Sequence, residues 1–366
     1  MAVPLFDTDT PLAGLREQII ARVGDVIRGG HFILGPEVAA FEGELAGYVG
    51  AHHAIGVANG TDALTLAARA LGIGPGDEVV LPAFTFYATA EAIASIGATP
   101  VFCDVDFDTR NVTAETVGAA LTPKTKAIVA VDLFGLPAPI PGIREAHGLP
   151  VIEDAAQAIG ASLDGRRAGV LGDIGTFSFY PSKNLPAFGD GGAVVTEDAE
   201  LAESVKALRF HGSRDKQSFE LVGYNSRLDE VQAAVLRVLL PELDGWCEGR
   251  RAAARAYADS ELSAYVRLPG EQAGAEPAWH LYVVTHREPA ELLSSLNSAG
   301  VQARPYYRTP LHRQPAMRRL VDDRTAELPV TDELARTNIA LPISPVLTAA
   351  QVDEVVAALA STALAA

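Results

Sequence analysis

Apolar residues recur at Leu12, Leu15, Ile19, Val23 and Val26. That spacing sets them on one stripe of a helix, which the Gly29-Gly30 pair is expected to stop. Beyond residue 53 the pattern changes. Short apolar runs at 54–58, 78–81, 99–102, 127–132, 151–154, 174–179 and 192–196 recur between segments of helical spacing. A strand covered by helices on both faces loses the polar alternation of a half-exposed one. The run Ala127-Ile-Val-Ala-Val131 reads that way. The alternation predicts an α/β fold on a large, mostly parallel, seven-stranded sheet.

Residues 229–243 read as a long amphipathic helix ended near Pro241 and Gly245. A basic helical stretch follows Trp246. Strand-like 281–285, a helix over 290–299 and a final Ala/Val-rich helix then predict a smaller α+β unit. The boundary falls near 245. It separates a larger domain, 1–245, whose first 30 residues are a helical lead-in, from a smaller C-terminal domain, 246–366.

Length suits this division, since 366 residues make about two domains at ~150 residues each. The chain has 46 acidic and 29 basic residues, a net charge of −17. A field of that sign repels a phosphate backbone, so nucleic acid is not an expected partner. Residues 1–10 carry two aspartates and no basic lead, unlike a secretory signal. No charge-free apolar run reaches the roughly 18 residues a membrane span needs. A cytoplasmic location is expected. Cys103 and Cys247 are too few for a disulfide framework or for the four thiolates of an iron–sulfur cluster. His52-His53 has no acidic or cysteine partner nearby, so no metal site is read.

Three segments carry candidate chemistry. In Val57-Ala-Asn-Gly-Thr-Asp-Ala-Leu64 a strand turns through glycine into a helix start, whose free N–H groups suit an anion. The bland alternative is an Asn-Gly turn with a threonine or aspartate cap and no ligand. By contrast, Gly72-Ile-Gly-Pro-Gly76 precedes its strand and reads as a turn, not a dinucleotide loop. In Val151-Ile-Glu-Asp-Ala-Ala-Gln157 an acidic pair closes a buried strand, where open α/β sheets place ligands. Asp154 either caps a following helix or meets a cation such as a pyridinium nitrogen. In Gly175-Thr-Phe-Ser-Phe-Tyr-Pro-Ser-Lys-Asn-Leu185 a buried run delivers Ser178 and Lys183 into a loop closed by a glycine-rich strand. Partial desolvation of that lysine would lower its pKa, as a Schiff-base amine requires. A solvated surface lysine is the alternative.

Six motifs stand in a fixed order: Asn59-Gly-Thr-Asp-Ala-Leu64, Pro82-Ala-Phe-Thr-Phe86, Glu153-Asp-Ala-Ala-Gln157, Ser178-Phe-Tyr-Pro-Ser-Lys-Asn184, Gly189-Asp-Gly-Gly-Ala193 and Gly223-Tyr-Asn-Ser-Arg-Leu-Asp229. Through them the chain resembles, over nearly its whole length, the DegT-type sugar aminotransferases. These are pyridoxal 5'-phosphate enzymes of the aspartate-aminotransferase fold (fold type I). The resemblance implies that Lys183 carries the cofactor as a Schiff base and that Asp154 pairs with the pyridine nitrogen. It implies Gln157 near the phenolic oxygen and Phe86 stacked on the ring, although a core phenylalanine is the plain alternative for residue 86. Gly60, Thr61 and Ser178 would hold the phosphate. Asn225 would reach across a homodimer interface to the same phosphate, making each active site from two chains.

The implied reaction moves an amino group from L-glutamate to the C3 or C4 keto carbon of a nucleotide-linked deoxysugar, with dTDP as the expected nucleotide. The run from Gly223 to Asp229 looks closest to members acting on 3-keto sugars. Such enzymes serve amino-sugar formation for cell-surface glycans or glycosylated natural products. For the sugar, Arg304, Arg308, Arg313, Arg318 and Arg319 crowd among Tyr306, Tyr307 and His312. They form either a diphosphate clamp or a solvated basic face. Relatives carry a His-Tyr pair before Pro-Leu-His-x-Gln-Pro; here Tyr306 replaces the first histidine, whereas His312 fits. Arg227 and residues 211–216 are further phosphate candidates. Two rivals stand beside this reading. A nucleotide-sugar dehydratase on the same scaffold would replace the lysine by histidine, and a non-catalytic, cofactor-binding regulatory protein could dispense with Lys183 or Asp154.

Overall fold

In a computed structural model, which describes residues 3–320 and 327–361, the expected strand runs assemble into one sheet. The outer limits of the two expected domains, residues 1 and 366, lie outside the described residues. The sheet strands are β1 (His53–Val57), β2 (Glu78–Pro82), β3 (Thr99–Cys103), β4 (Thr125–Val131), β5 (Val151–Asp154), β8 (Ile174–Ser178) and β9 (Gly192–Thr196). Between β5 and β8, the two-residue strands β6 (Ser162–Leu163) and β7 (Arg166–Arg167) pair with β10 (Ala275–Glu276) in a separate small sheet. The large sheet runs β1-β9-β8-β5-β4-β2-β3, and β9 alone is antiparallel to its neighbours.

Helices cover both faces. On one lie α3 (Gly60–Ala70), α4 (Ala88–Ser95), α5 (Ala114–Ala120), α6 (Ile140–His147) and α7 (Ala199–Arg209), and on the other α1 (Arg16–Gly29), α2 (Pro36–Val49) and α8 (Glu230–Leu239). Strand alternation divides the core accordingly. Val194 packs with the first group, whereas Ala193 and Val195 pack with the second. Continuous apolar runs are what two covered faces demand.

The N-terminal helix starts later than its apolar stripe, after a 3-10 turn over Thr10–Leu12. Ile19 and Val26 are buried, but Ile20 and Ile27 stand 64% and 61% exposed. The expected stop near Pro241 holds, since α8 ends at Leu239, but Gly245 does not end a helix. A 3-10 turn, Leu240–Glu242, links α8 directly to α9 (Leu243–Asp259). Pro241 sits in the first turn of a new helical segment, where no N–H is needed. Gly245 lies inside α9, at a cost of only about 1 kcal/mol relative to alanine.

Helix α9 serves two cores. Leu243 and Cys247 pack against the sheet, while Ala253, Ala254 and Tyr257 join a third cluster. That cluster contains Tyr282 and Val284 of β11 (Tyr282–Thr285), Leu292 and Leu296 of α10 (Pro289–Ser298), Ile339 and Leu341 of β12 (Asn338–Leu341), and Val352 and Val355 of α12 (Ala349–Ala360). The other face of the β11–β12 pair, with Val283 and Ala340, packs into the large core beside α11 (Pro329–Thr337). The C-terminal region is thereby held against the end of the sheet where the parallel strands finish.

Candidate active site

Parallel strands finish on one edge, so the loops after β1, β5 and β8 are neighbours there although far apart in sequence. They enclose a cavity of about 610 Å³.

After β1 the chain enters α3 through Asn59. Its extended backbone and side-chain oxygen, which accepts from the Asp62 N–H at 2.8 Å, cap the helix. Asn59 is thus the cap, in place of the threonine or aspartate considered from sequence. Gly60 and Thr61 remain in the first turn, lining the cavity with helix N–H groups that have no carbonyl to bond within the helix. A Cβ on Gly60 would stand 2.7 Å from the Cβ of Ser178, at the end of β8. Glycine is therefore required for these two walls to meet.

Strand β5 ends in the acidic pair, and alternation sends the two carboxylates apart. Glu153 accepts the N–H groups of Gly169, Leu171 and Gly172 at 2.5, 2.7 and 3.0 Å and serves to hold that loop. Asp154 lines the cavity; no helix follows it to be capped. Its Oδ2 accepts from the Thr89 hydroxyl at 2.9 Å and its Oδ1 from the Ala156 N–H at 3.2 Å. Burial raises its pKa against the pull of those donors and of Lys183. Half-buried Lys183 lines the same cavity. Desolvation pushes its amine down to about 8, while the charge of Asp154 opposes that fall. It is not a solvated surface lysine.

Gln157 is held from two sides. Its Oε1 accepts from the Phe134 N–H at 2.8 Å and its Nε2 donates to the Tyr307 hydroxyl at 3.0 Å, leaving one amide hydrogen uncommitted. Phe86 is 54% exposed, so it is not a core phenylalanine; Phe84 takes the core position beside it. Tyr306 and Tyr307 complete that wall, with Tyr307 6.0 Å from Phe86 between ring centres.

Gly60, Thr61, Phe86, Asp154, Gln157, Ser178, Lys183 and Tyr306 are thus brought together. Asn225, Arg227, Arg304, Arg308 and His312 do not line the cavity of their own chain. Asn225 is exposed and accepts from the Arg227 guanidinium, which also faces the Phe210 ring. Arg304 stands at the cavity rim, its guanidinium 5.9 Å from the centre of Phe6 and 5.6 Å from that of Tyr306. Arg308 lines a separate groove with Arg336 and Asp332. Buried His312 has its Nε2 3.3 Å from Asp332, which also takes Arg313 at 2.7 Å.

Sequence reasoning missed Thr89, which seats Asp154, and His280, which lines the cavity; Tyr307 was singled out with the arginine cluster, but not its bond to Gln157. Thr89 lies in α4, its hydroxyl also 3.3 Å from that of Thr85, and left no local signal. His280 left none.

The site suits a pyridoxal phosphate. It combines a helix start for a phosphate, a buried carboxylate facing a desolvated amine, and an exposed aromatic face. The chain matches the DegT/DnrJ/EryC1/StrS aminotransferase family over residues 14–360. It is 45% identical to the UDP-N-acetyl-3-dehydro-alpha-D-glucosamine 3-aminotransferase of Acidithiobacillus ferrooxidans, over 97% of this chain and 96% of that one. It is 44% identical to the dTDP-3-amino-3,4,6-trideoxy-alpha-D-glucose transaminase of Streptomyces venezuelae, over 94% and 91%. Among solved structures, S. venezuelae DesV in complex with a ketimine intermediate superimposes with a TM-score of 0.95, at 43% identity and 98% coverage of both chains.

Proposed function

Because the chain belongs to the DegT/DnrJ/EryC1/StrS family of pyridoxal-phosphate-dependent sugar aminotransferases, we propose that it transfers an amino group from L-glutamate to C3 of a dTDP-linked keto-deoxysugar. C3 is favoured over C4 because the names of both relatives place the amino group there. One observation carries the catalytic reading: Lys183 and Asp154 share one cavity with the start of α3.

Bound there, pyridoxal phosphate supplies an aldehyde that takes up amino groups and a cationic ring that absorbs electrons. The protein's residues do the rest. Gly60, Thr61 and Ser178 receive the phosphate at the positive end of α3. Asp154, fixed by Thr89, would hold a proton on the ring nitrogen. Phe86 would cover a ring face, and Gln157 would offer its remaining amide hydrogen to the phenolic oxygen. Lys183 would anchor the cofactor through Nζ, and the same amine would serve as the base and acid that move the proton. An amine near 8 is partly neutral at physiological pH, as a general base must be.

The reading includes a homodimer whose partner completes the site. Lys183 is the one lysine or arginine lining the cavity among the described residues, against Asp62, Glu91, Asp154 and Asp190. Two phosphorylated ligands need more positive charge than that. Exposed Phe86 and Tyr180 offer apolar surface at the cavity, and exposed Asn225, whose side-chain oxygen takes Arg227, keeps its amide N–H groups for a neighbour. A cytoplasmic location is part of the proposal; no described helix is long and apolar enough to cross a membrane.

The test is to incubate the enzyme and L-glutamate with 3-keto and 4-keto sugars linked to dTDP or UDP, and to identify products by NMR. A 3-amino dTDP-sugar is expected. Amination only at C4, or only of UDP-sugars, would overturn that part of the proposal.

A further inference from the structure

His280 is 5% exposed, yet it lines the catalytic cavity. Its Nδ1 is fully buried with no hydrogen-bond partner. Leaving such an atom unpaired costs about 1–3 kcal/mol, so it calls for a reason.

The backbone around it is pinned to the catalytic machinery. Asn184, next to Lys183, donates its side-chain amide to the Ala278 carbonyl at 2.8 Å. Ala278 N–H bonds Gly135 at 2.8 Å and Leu281 N–H bonds Phe134 at 3.3 Å, the latter residue also binding Gln157. The imidazole stacks on Phe6 at 6.1 Å. Its place relative to Lys183 and Gln157 is therefore set by hydrogen bonds on both flanks.

Behind it stands Arg250, 7% exposed, donating to the carbonyls of Trp279 and Ile343 at 3.1 and 3.4 Å. No described carboxylate pairs with this guanidinium, and its Nε is buried and unpartnered. It borders a narrow recess shared with Ser182, Lys183 and Asn184. Burial together with the positive charges of Lys183 and Arg250 keeps the His280 ring neutral. His280 thus meets the cavity as a neutral ring backed by a buried guanidinium, beside a lysine whose charge Asp154 partly offsets.

Aminotransfer sets two unlike substrates against Lys183 in turn. An α-amino acid brings a carboxylate on the carbon that loses its proton; a sugar ring brings only hydroxyls there. A fixed, exposed arginine would welcome the first and leave an unpaired charge beside the second. A neutral imidazole backed by a buried guanidinium can donate to a carboxylate or to a hydroxyl. We propose that His280, backed by Arg250, receives the α-carboxylate of the amino donor, and so makes this corner the donor-specific part of a site used by two substrates. The inference rests on the aminotransferase reading above.

The test compares holoenzyme with His280→Leu and His280→Gln, the latter keeping a side-chain N–H. In His280→Leu the KM for L-glutamate is expected to rise at least about tenfold, the scale of a lost hydrogen bond to a charged group. The KM for the keto-sugar and the absorbance of the attached cofactor should stay within about twofold, and His280→Gln should recover part of the loss. Calorimetric titration with maleate, an unreactive dicarboxylate, should show the same loss of affinity without turnover. An unchanged glutamate KM and maleate affinity, or equal rises for both substrates, would overturn the inference. Wild-type enzyme that uses no α-amino acid at all would instead sink the functional reading on which it rests.

Discussion

The cavity floor draws Gly60, Asp154, Ser178 and Lys183 from well-separated parts of the chain into one wall. The segment 301–320 does the reverse. Its arginines are close in sequence, but Arg304 goes to the rim over Phe6 and Tyr306, Arg308 to a separate groove, and Arg313 to Asp332. The difference lies in what positions each side chain. Ladder hydrogen bonds and two buried faces set the strand ends of the floor, which leaves them no alternative place. Residues 304–310 have little regular structure, so each long side chain settles on whichever aromatic or acid lies in reach. Nearness along the chain is weak evidence for a shared site; common origin at one sheet edge is strong evidence.

That contrast can be broken experimentally, beginning at the floor. Lys183→Ala should lower turnover at least about 10³-fold, the scale of a lost acid–base group, and abolish the absorbance of covalently attached cofactor. Persistence of that absorbance would falsify the assignment. Asp154→Asn should cost about 10²-fold in turnover, as for removal of one preorganised charge. It should also move a titration. Lys183 titrates near 8 when folded, below a free lysine, so capture of cofactor by apoprotein should quicken as pH rises through that value. Between about 8 and the free-lysine value of ~10.4 the unfolded chain binds more protons at this position, so apoprotein stability rises with pH there. Removing the Asp154 charge that holds the value up should shift the capture midpoint to lower pH; an unmoved midpoint would separate the two residues.

Smaller effects follow farther from the floor. Gly60→Ala forces a methyl against Ser178 and should weaken cofactor binding by about 1–3 kcal/mol, the range for overpacking, read by equilibrium dialysis. Asn225→Ala should weaken it about tenfold if this exposed side chain serves a partner's phosphate. Unaltered affinity would argue that each chain holds its cofactor alone. Least of all, Arg304→Ala should raise the keto-sugar KM a few-fold, roughly 1 kcal/mol for an exposed charged contact, and Arg308→Ala should leave it unchanged. An equal effect of both would restore the segment as one clamp.

What the sequence by itself determined is what repeats or is local. Seven buried strand runs appear within about two residues of their final limits, because burial on both faces leaves a continuous apolar signature. The glycine-led entry to α3, the acidic end of β5 and the lysine after β8 were legible as motifs, since each lies in one short stretch. The end of α8 near Pro241 and the helix beyond Trp246 were legible, but the start of α9 at Leu243 was not, because Gly245 is a local stop signal that packing of Leu243 and Cys247 on the sheet outweighs. Only the tertiary structure decided that Glu153 and Asp154 part company, that Thr89 and Tyr307 seat the working groups, and that His280 joins the cavity. Those contacts cross long distances in the chain. Their geometry depends on how helices and loops close over a finished sheet, which no local pattern of residues encodes.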